Sequence, residues 1–238
     1  MMTRAPGWLL DLTGGQTPYA DAWTLQRRAL GARQAGGIPD VLILLEHAPV
    51  VTLGRSARRA NLLVAPDALA ARGIDLFEVE RGGDVTYHGP GQLVGYPILD
   101  LRALNEDVVR FMRMLEESII RTLDAFGLTA ARARGFPGVW VGDSKIAATG
   151  VAVKRRVTMH GFALNVTTDL DAFTVINPCG LGRPVTSMAR LLGHPLEVAE
   201  VGRVYARQFT EVFGIALEPT SRPTVEQSFA QEAALGSH

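Results

Sequence analysis

Cys179 is the one cysteine in a chain of 238 residues, and it lies in the run Asn177, Pro178, Cys179, Gly180, Leu181. Proline fixes one backbone angle and glycine permits unusual ones, so neither suits a helix or strand interior. The expectation is a thiol held at a set angle on a stiff turn. A nucleophile needs that placement and a core cysteine does not. A lone cysteine also reads as a small buried hydrophobe, so the rest of the chain has to decide between the two. With no second cysteine there is neither an internal disulfide nor a cysteine-rich zinc site. A second candidate is Lys145, which opens the small-residue run KIAATG (145–150) after Gly142, Asp143 and Ser144. A lysine there faces either water or a site. The third is His160, at the start of HGFALN (160–165), on a strand expected beside that of the lysine. It reads equally as a hydrogen-bonded structural group.

The densest signal is RGGDVTYHGPGQ (81–92), with four glycines and a proline in twelve residues. A loop that costs so much backbone entropy serves a purpose more often than not, because glycine lets backbone N–H groups face a ligand. Arg81, Tyr87 and His88 add donors around it. The alternative reading is a surface hairpin with tight turns. A dinucleotide fingerprint fails here, because Val94 stands where the third glycine belongs and no helix is expected next. No phosphate-binding G-x-x-x-x-G-K-[ST] occurs, and the spacing of His47, His88 and His160 matches no metal motif.

The elements that must hold these residues are of mixed type. Residues 19–34 read as a helix stopped by Gly36 and Gly37. The run 41–45 reads as a buried strand and 50–53 as another, with further strands at 75–79 and 93–99. Asn105 is a candidate cap for a helix through Phe126, with Val108, Met112, Leu115, Ile119, Leu123 and Phe126 as its apolar stripe. Residues 138–166 alternate short β-like runs with turns, as an antiparallel meander does. Residues 198–213 read as a second amphipathic helix, with Val201, Val204, Tyr205, Val212 and Phe213 apolar. Strand clusters flanked by helices argue for an α+β fold, not a doubly wound parallel sheet. The length fits one catalytic domain over 1–217, with 218–238 as a C-terminal tail or small extension. The final residues, 233–238, read as a frayed end.

Composition narrows the function classes. The chain is 47% hydrophobic and 20% charged, as a well-packed globule is. Lys plus Arg and Asp plus Glu number 24 each, so no global field favours nucleic acid or a membrane surface. No apolar run spans a bilayer, no signal peptide is evident, and single-cysteine usage suits a reducing, cytoplasmic setting.

Taken together, RGGDVTYHGPGQLVGYPILDL (81–101), KIAATGV (145–151), HGFALNV (160–166) and NPCGL (177–181) strongly resemble the lipoyl(octanoyl) transferases. The resemblance runs from about Glu46 to Ser187, with four motifs in the family's order. It implies the biotin/lipoate protein ligase-like fold, a mixed and mostly antiparallel sheet with flanking helices. It implies transfer of octanoyl from octanoyl-acyl carrier protein to lysines of the lipoyl domains of 2-oxoacid dehydrogenase complexes and of the glycine cleavage H protein. No cofactor and no metal are implied. Position by position, Cys179 resembles the acyl-accepting nucleophile and Lys145 the lysine that lowers its pKa and serves as acid and base. Arg81, Gly82, Gly83, Asp84, Val85, Thr86, Tyr87 and His88 resemble one segment of the acyl site. Ala148, Thr149 and Gly150 resemble a second, and Gly161, Phe162 and Ala163 a third.

Elementary chemistry agrees with that assignment. A free thiol titrates near 8.5, so only a few per cent is thiolate at neutral pH, and a nearby ammonium raises that share. Moving an acyl group from a thioester to an amide is downhill and needs no nucleotide. Three alternatives remain: an ATP-using lipoate or biotin ligase on the same scaffold, a non-catalytic acyl-carrier-binding module, and a thiol hydrolase with a Cys–His pair. Ligases of this type tend to carry an acidic residue after the loop histidine, where this chain has Gly89. A binding module leaves the Lys145 and Cys179 motifs unexplained.

Overall fold

A computed structural model describes residues 5–178 and 183–235. In chain order the strands and helices are β1 (Gly7–Thr17), α1 (Tyr19–Ala35), β2 (Val41–His47), β3 (Val50–Leu53), α2 (Pro66–Ala70), β4 (Asp75–Glu78), β5 (Val85–His88) and β6 (Gln92–Ile98). They continue with α3 (Val108–Ala125), β7 (Ala131–Ala133), β8 (Phe136–Val141), β9 (Ser144–Lys154), β10 (Val157–Asn165), α4 (Met188–Leu192), α5 (Val198–Phe213), β11 (Leu217–Thr220) and α6 (Arg222–Leu235).

An eight-stranded sheet runs β11-β1-β2-β6-β10-β9-β8-β7, and a three-stranded sheet runs β4-β3-β5. In the large sheet β1 is parallel to both β11 and β2, and every later pairing is antiparallel. The α+β, mostly antiparallel class expected from the sequence is the class found. The meander expected over 138–166 is β8-β9-β10, three strands adjacent in chain and sheet.

The pattern of apolar residues explains the layers. Strand β2 carries an uninterrupted apolar run because both of its faces are covered. Leu42 and Leu44 face the layer that holds Phe111, Leu115 and Ile119 of α3 and Tyr205 and Phe209 of α5. Ile43 and Leu45 face the opposite layer, with Ala22, Leu25 and Ala29 of α1. Helix α1 stops where expected, at Gly36, whose φ of 88° is a left-handed turn that lets its N–H reach the carbonyls of Ala32 and Arg33.

One local expectation changes. Asn105 is not the cap of α3. It closes a short 3-10 turn over Leu101–Leu104 with φ 55°, and Asp107 caps α3 by accepting from the Arg110 N–H. Residue 108 thereby becomes the first helical position, which leaves Val108 exposed and turns Phe111 into the core. The segment from 218 onward holds the rest of β11, which starts at Leu217, and helix α6. Its strand β11 pairs with β1, and Val225 and Phe229 of α6 are buried in the α1 layer. Short apolar spacing and two prolines hid that strand, because an edge position tolerates proline.

Strand β10 is buried along its whole length, between β6 and β9. Gly161 is what lets β6 come close: a Cβ there would lie 2.1 Å from the Gly95 carbonyl oxygen and 2.7 Å from Pro97 Cδ. Backbone on one side and a proline ring on the other cannot yield cheaply. Gly161→Ala is expected to lower stability by at least the ~1–3 kcal/mol usual for overpacking. Gly15→Ala is the control, since nothing lies within 4 Å of a Cβ there. Thermal melts of the two variants check this: a clear fall in midpoint for the first and little change for the second.

Candidate functional site

Three segments close around one cavity of about 350 Å³. The floor is the central pair β9 and β10, in register with Ala148 opposite Ala163, Thr149 opposite Phe162 and Gly150 opposite Gly161. These six positions are the second and third predicted segments, and all six line the cavity. The loop between β4 and β5 contributes Arg81, Gly82, Gly83 and Asp84, and β5 itself contributes Val85, Thr86 and His88. The loop is docked on the strands by backbone: the Gly82 N–H donates to Val151 O at 2.9 Å.

Arg81 does not swing free in this space. Its Nη2 donates to Thr52 O (2.7 Å) and to Thr52 Oγ1 (2.9 Å), and its Nη1 donates to Gly82 O (3.1 Å). The guanidinium is thus a fixed positive charge in the wall, buried to 8% exposure. Asp84 also lines the cavity and acts as a knot. Its carboxylate accepts from the N–H groups of Val85 and Arg58 and from Asn61 Nδ2. Asn61 in turn accepts from the Asn177 N–H at 2.7 Å.

Tyr87 is the one member of the predicted loop set that does not line the cavity. On β5 its side chain alternates with those of Thr86 and His88 and packs against Phe173, with ring centroids 5.5 Å apart, in the core of the small sheet. Its side chain supports the loop and does not touch the cavity.

Lys145, near the start of β9, lines the cavity, with its Nζ 4.9 Å from the centroid of the Trp140 ring. A ring face at that distance attracts an ammonium. The backbone of Lys145 is zipped to the segment 184–186: its N–H donates to Pro184 O and its carbonyl accepts from Thr186 N–H, both at 2.9 Å. Cys179 lies outside the described residues. Its neighbour in sequence, Pro178, lines the cavity, as does Val185 beyond it. Described chain on both sides of the cysteine is therefore tethered at the cavity, on one side through Asn177 to Asn61 and on the other through residues 184–186 to Lys145.

Several contributors carried no assigned role at the sequence level. Gln92 and Asn165 lie within the quoted motifs and form a relay: His88 Nδ1 to Gln92 Oε1 at 2.8 Å, Gln92 Nε2 to Asn165 Oδ1 at 2.9 Å, Asn165 Nδ2 to Thr186 O at 3.0 Å. The relay locks β5, β6 and β10 to the segment that holds Lys145. Tyr96 also lies within a quoted motif, whereas Thr52, Tyr19 and Glu80 come from stretches with no chemical signal in the sequence.

Three buried imidazoles lie at or near the cavity: His88 and His160 line it, and His47 packs against His88 with ring centroids 5.7 Å apart. Burial pushes His47 down to about 4, against the pull of the Thr17 carbonyl. Burial, with the neighbouring His47, holds His88 well below 6.5. Burial lowers His160 to about 4, partly offset by the Glu80 carboxylate. Each is therefore neutral in the folded protein at pH 7. The unfolded chain takes up these protons below about 6.5, and the folded one does so only near 4 or lower. Stability is therefore expected to fall as pH drops from about 6.5 to 4, each unit of depression being worth about 1.4 kcal/mol per group. Urea midpoints between pH 7 and pH 4.5 measure this. A flat profile would contradict neutral burial.

The layered sheet with its flanking helices has the fold of lipoate protein ligases. The chain superposes on a bi-partite lipoate protein ligase from Thermoplasma acidophilum with a TM-score of 0.70 at 20% identity, covering 96% of this chain and 92% of that one. It superposes on lipoate-protein ligase A bound with ATP with a TM-score of 0.66 at 23% identity, covering 95% and 93%. Residues 18–210 match the lipoyl protein ligase A/B catalytic domain, and the chain belongs to that family. It is 51% identical to the octanoyltransferase of Solibacter usitatus, over 86% of this chain and 93% of that one. It is 50% identical to the octanoyltransferase of Gloeobacter violaceus, over 90% and 94%. With such relatives the chain is an acyltransferase. Among the described residues no helix is long and apolar enough to cross a membrane.

Proposed function

We propose that this protein transfers octanoyl from octanoyl-acyl carrier protein to a lysine of lipoyl domains, through a thioester on Cys179. One observation carries the proposal: Lys145 and the proline bonded to Cys179 line the same acyl-sized cavity, with the glycine loop across it. Relatives near 50% identity that are named octanoyltransferases support it over the ligase reading.

In the proposed sequence the Cys179 thiolate attacks the thioester carbonyl of the donor. The carbon–sulfur bond to the carrier breaks, and Lys145 gives its proton to the departing thiolate. The acyl group now sits on Cys179 as a thioester, so its reactivity is kept. The acceptor lysine attacks as a neutral amine, the new amide forms, and Cys179 leaves as thiolate while Lys145 takes up the amine proton. Backbone N–H groups near Gly180 or along 148–150 are the candidates for stabilising the developing oxyanion. Lipoyl domains of 2-oxoacid dehydrogenase complexes and the glycine cleavage H protein are the proposed acceptors.

Intact mass after mixing with octanoyl-acyl carrier protein tests the reading. The expected result is a gain of one octanoyl group, mapped to Cys179, without ATP. Labelling that needs ATP would return the chain to the ligases, and release of free octanoate without transfer to a lipoyl domain would make it a hydrolase.

A further inference from the structure

The cavity has two unlike ends. Lys145 marks one of them. His160 marks the other, since it pairs with Val151, six residues along β9 from Lys145, and both residues line the cavity. His160 holds an uncommon backbone for its type, with φ of 58°. The ladder between β10 and β6 ends at Phe162 opposite Gly95, and the His160 N–H, beyond it, donates to Gln26 Oε1 of α1 at 2.8 Å. The ring stands edge-on to Tyr96, with centroids 6.3 Å apart.

Behind this ring sits charge. His160 Nε2 is 3.5 Å from Glu80 Oε2. Glu80 accepts from Lys154 Nζ and from Trp23 Nε1, both at 3.0 Å, and Arg27 Nε lies 3.7 Å away. Its carboxyl is held at about 2: burial opposes ionisation, but its own backbone N–H, Lys154 and His160 outweigh that. Ala148, Ala163 and Phe162 line the cavity between Lys145 and His160 in strand register, and behind the His160 ring lies a permanent ionic cluster. An alkyl chain that outgrew the space would have to drive the imidazole onto Glu80 and displace paired charges, which apolar atoms cannot replace.

We infer that His160, braced by Glu80, is the end wall of the acyl cavity and sets the longest acyl chain the protein accepts. The inference rests on the proposed acyl transfer and adds its specificity determinant. His160 touches the acyl tail. Glu80 acts through His160 and is a positioning residue.

The test compares wild type, His160→Ala and Glu80→Ala with acyl carrier protein thioesters of six, eight, ten and twelve carbons. Binding of the free fatty acids of the same lengths is followed by calorimetry. In His160→Ala the ratio of kcat/KM for ten carbons over eight is expected to rise about tenfold or more, in line with the value of a methylene in an apolar pocket. Glu80→Ala shifts the ratio the same way by less. Should His160→Ala fail to fold, Val151→Phe, from the facing strand, is expected to move the preference toward six carbons. Equal losses at every length in these variants, in transfer and in binding, would overturn the wall. If wild type transfers no acyl group yet the fatty-acid length limit still moves with His160, the transfer reading fails and the wall stands.

Discussion

Cys179→Ser is expected to abolish transfer, with kcat/KM reduced by at least about 10³-fold, the scale on which loss of a covalent nucleophile acts in hydrolases. The exchange swaps one atom. Serine is a far weaker acid than a thiol, so the charge that favours a thiolate does not make an alkoxide. The ester it would form is also a poorer donor to an amine than a thioester is. The measurement is single-turnover transfer to a lipoyl domain, beside circular dichroism to confirm the fold. Retention of more than a few per cent of activity would remove the acyl-enzyme and leave direct transfer in a ternary complex.

Lys145→Met is expected to be nearly as damaging, for two separable reasons. Loss of the ammonium removes the charge that favours the thiolate, so alkylation of Cys179 by iodoacetamide should titrate higher than in wild type, where it falls below the free-thiol value of about 8.5. Loss of the proton donor and acceptor adds about 10²–10⁴-fold, the usual value of general acid–base catalysis. Lys145→Arg separates the two. It restores a cation beside the Trp140 ring, and the alkylation profile should return toward wild type. Transfer should stay low, because a guanidinium does not give up its proton. Identical alkylation profiles for wild type and Lys145→Met would break the pairing of Lys145 with Cys179. Full turnover in Lys145→Arg would reduce the lysine to a charge.

What could be read from sequence alone were features whose cause is local. The stop of α1 at Gly36, the strand at 41–47 and the β8-β9-β10 meander follow from turn residues and apolar spacing within a few positions. The glycine-rich loop stands out for the same reason, since it is expensive in chain entropy. Where local evidence was ambiguous, a one- or two-residue shift changed the outcome, as when Asp107 took the cap expected of Asn105 and turned Phe111 inward.

Contacts between distant parts of the chain were decided by the tertiary structure. Lys145 and Pro178 meet at one cavity only because residues 184–186 pair with the lysine's backbone and Asn177 with Asn61. Arg81 is a fixed charge because Thr52, from another strand, holds it. Tyr87 sits in a chemical motif yet faces the small sheet's core, since a strand side chain's direction follows from register and not from its neighbours in sequence. His160, with φ of 58°, has its N–H satisfied by Gln26 of α1, remote in the chain. Propensity acts over a few residues, whereas register, burial and the pairing of buried polar groups are settled between segments that meet only when the sheet has formed.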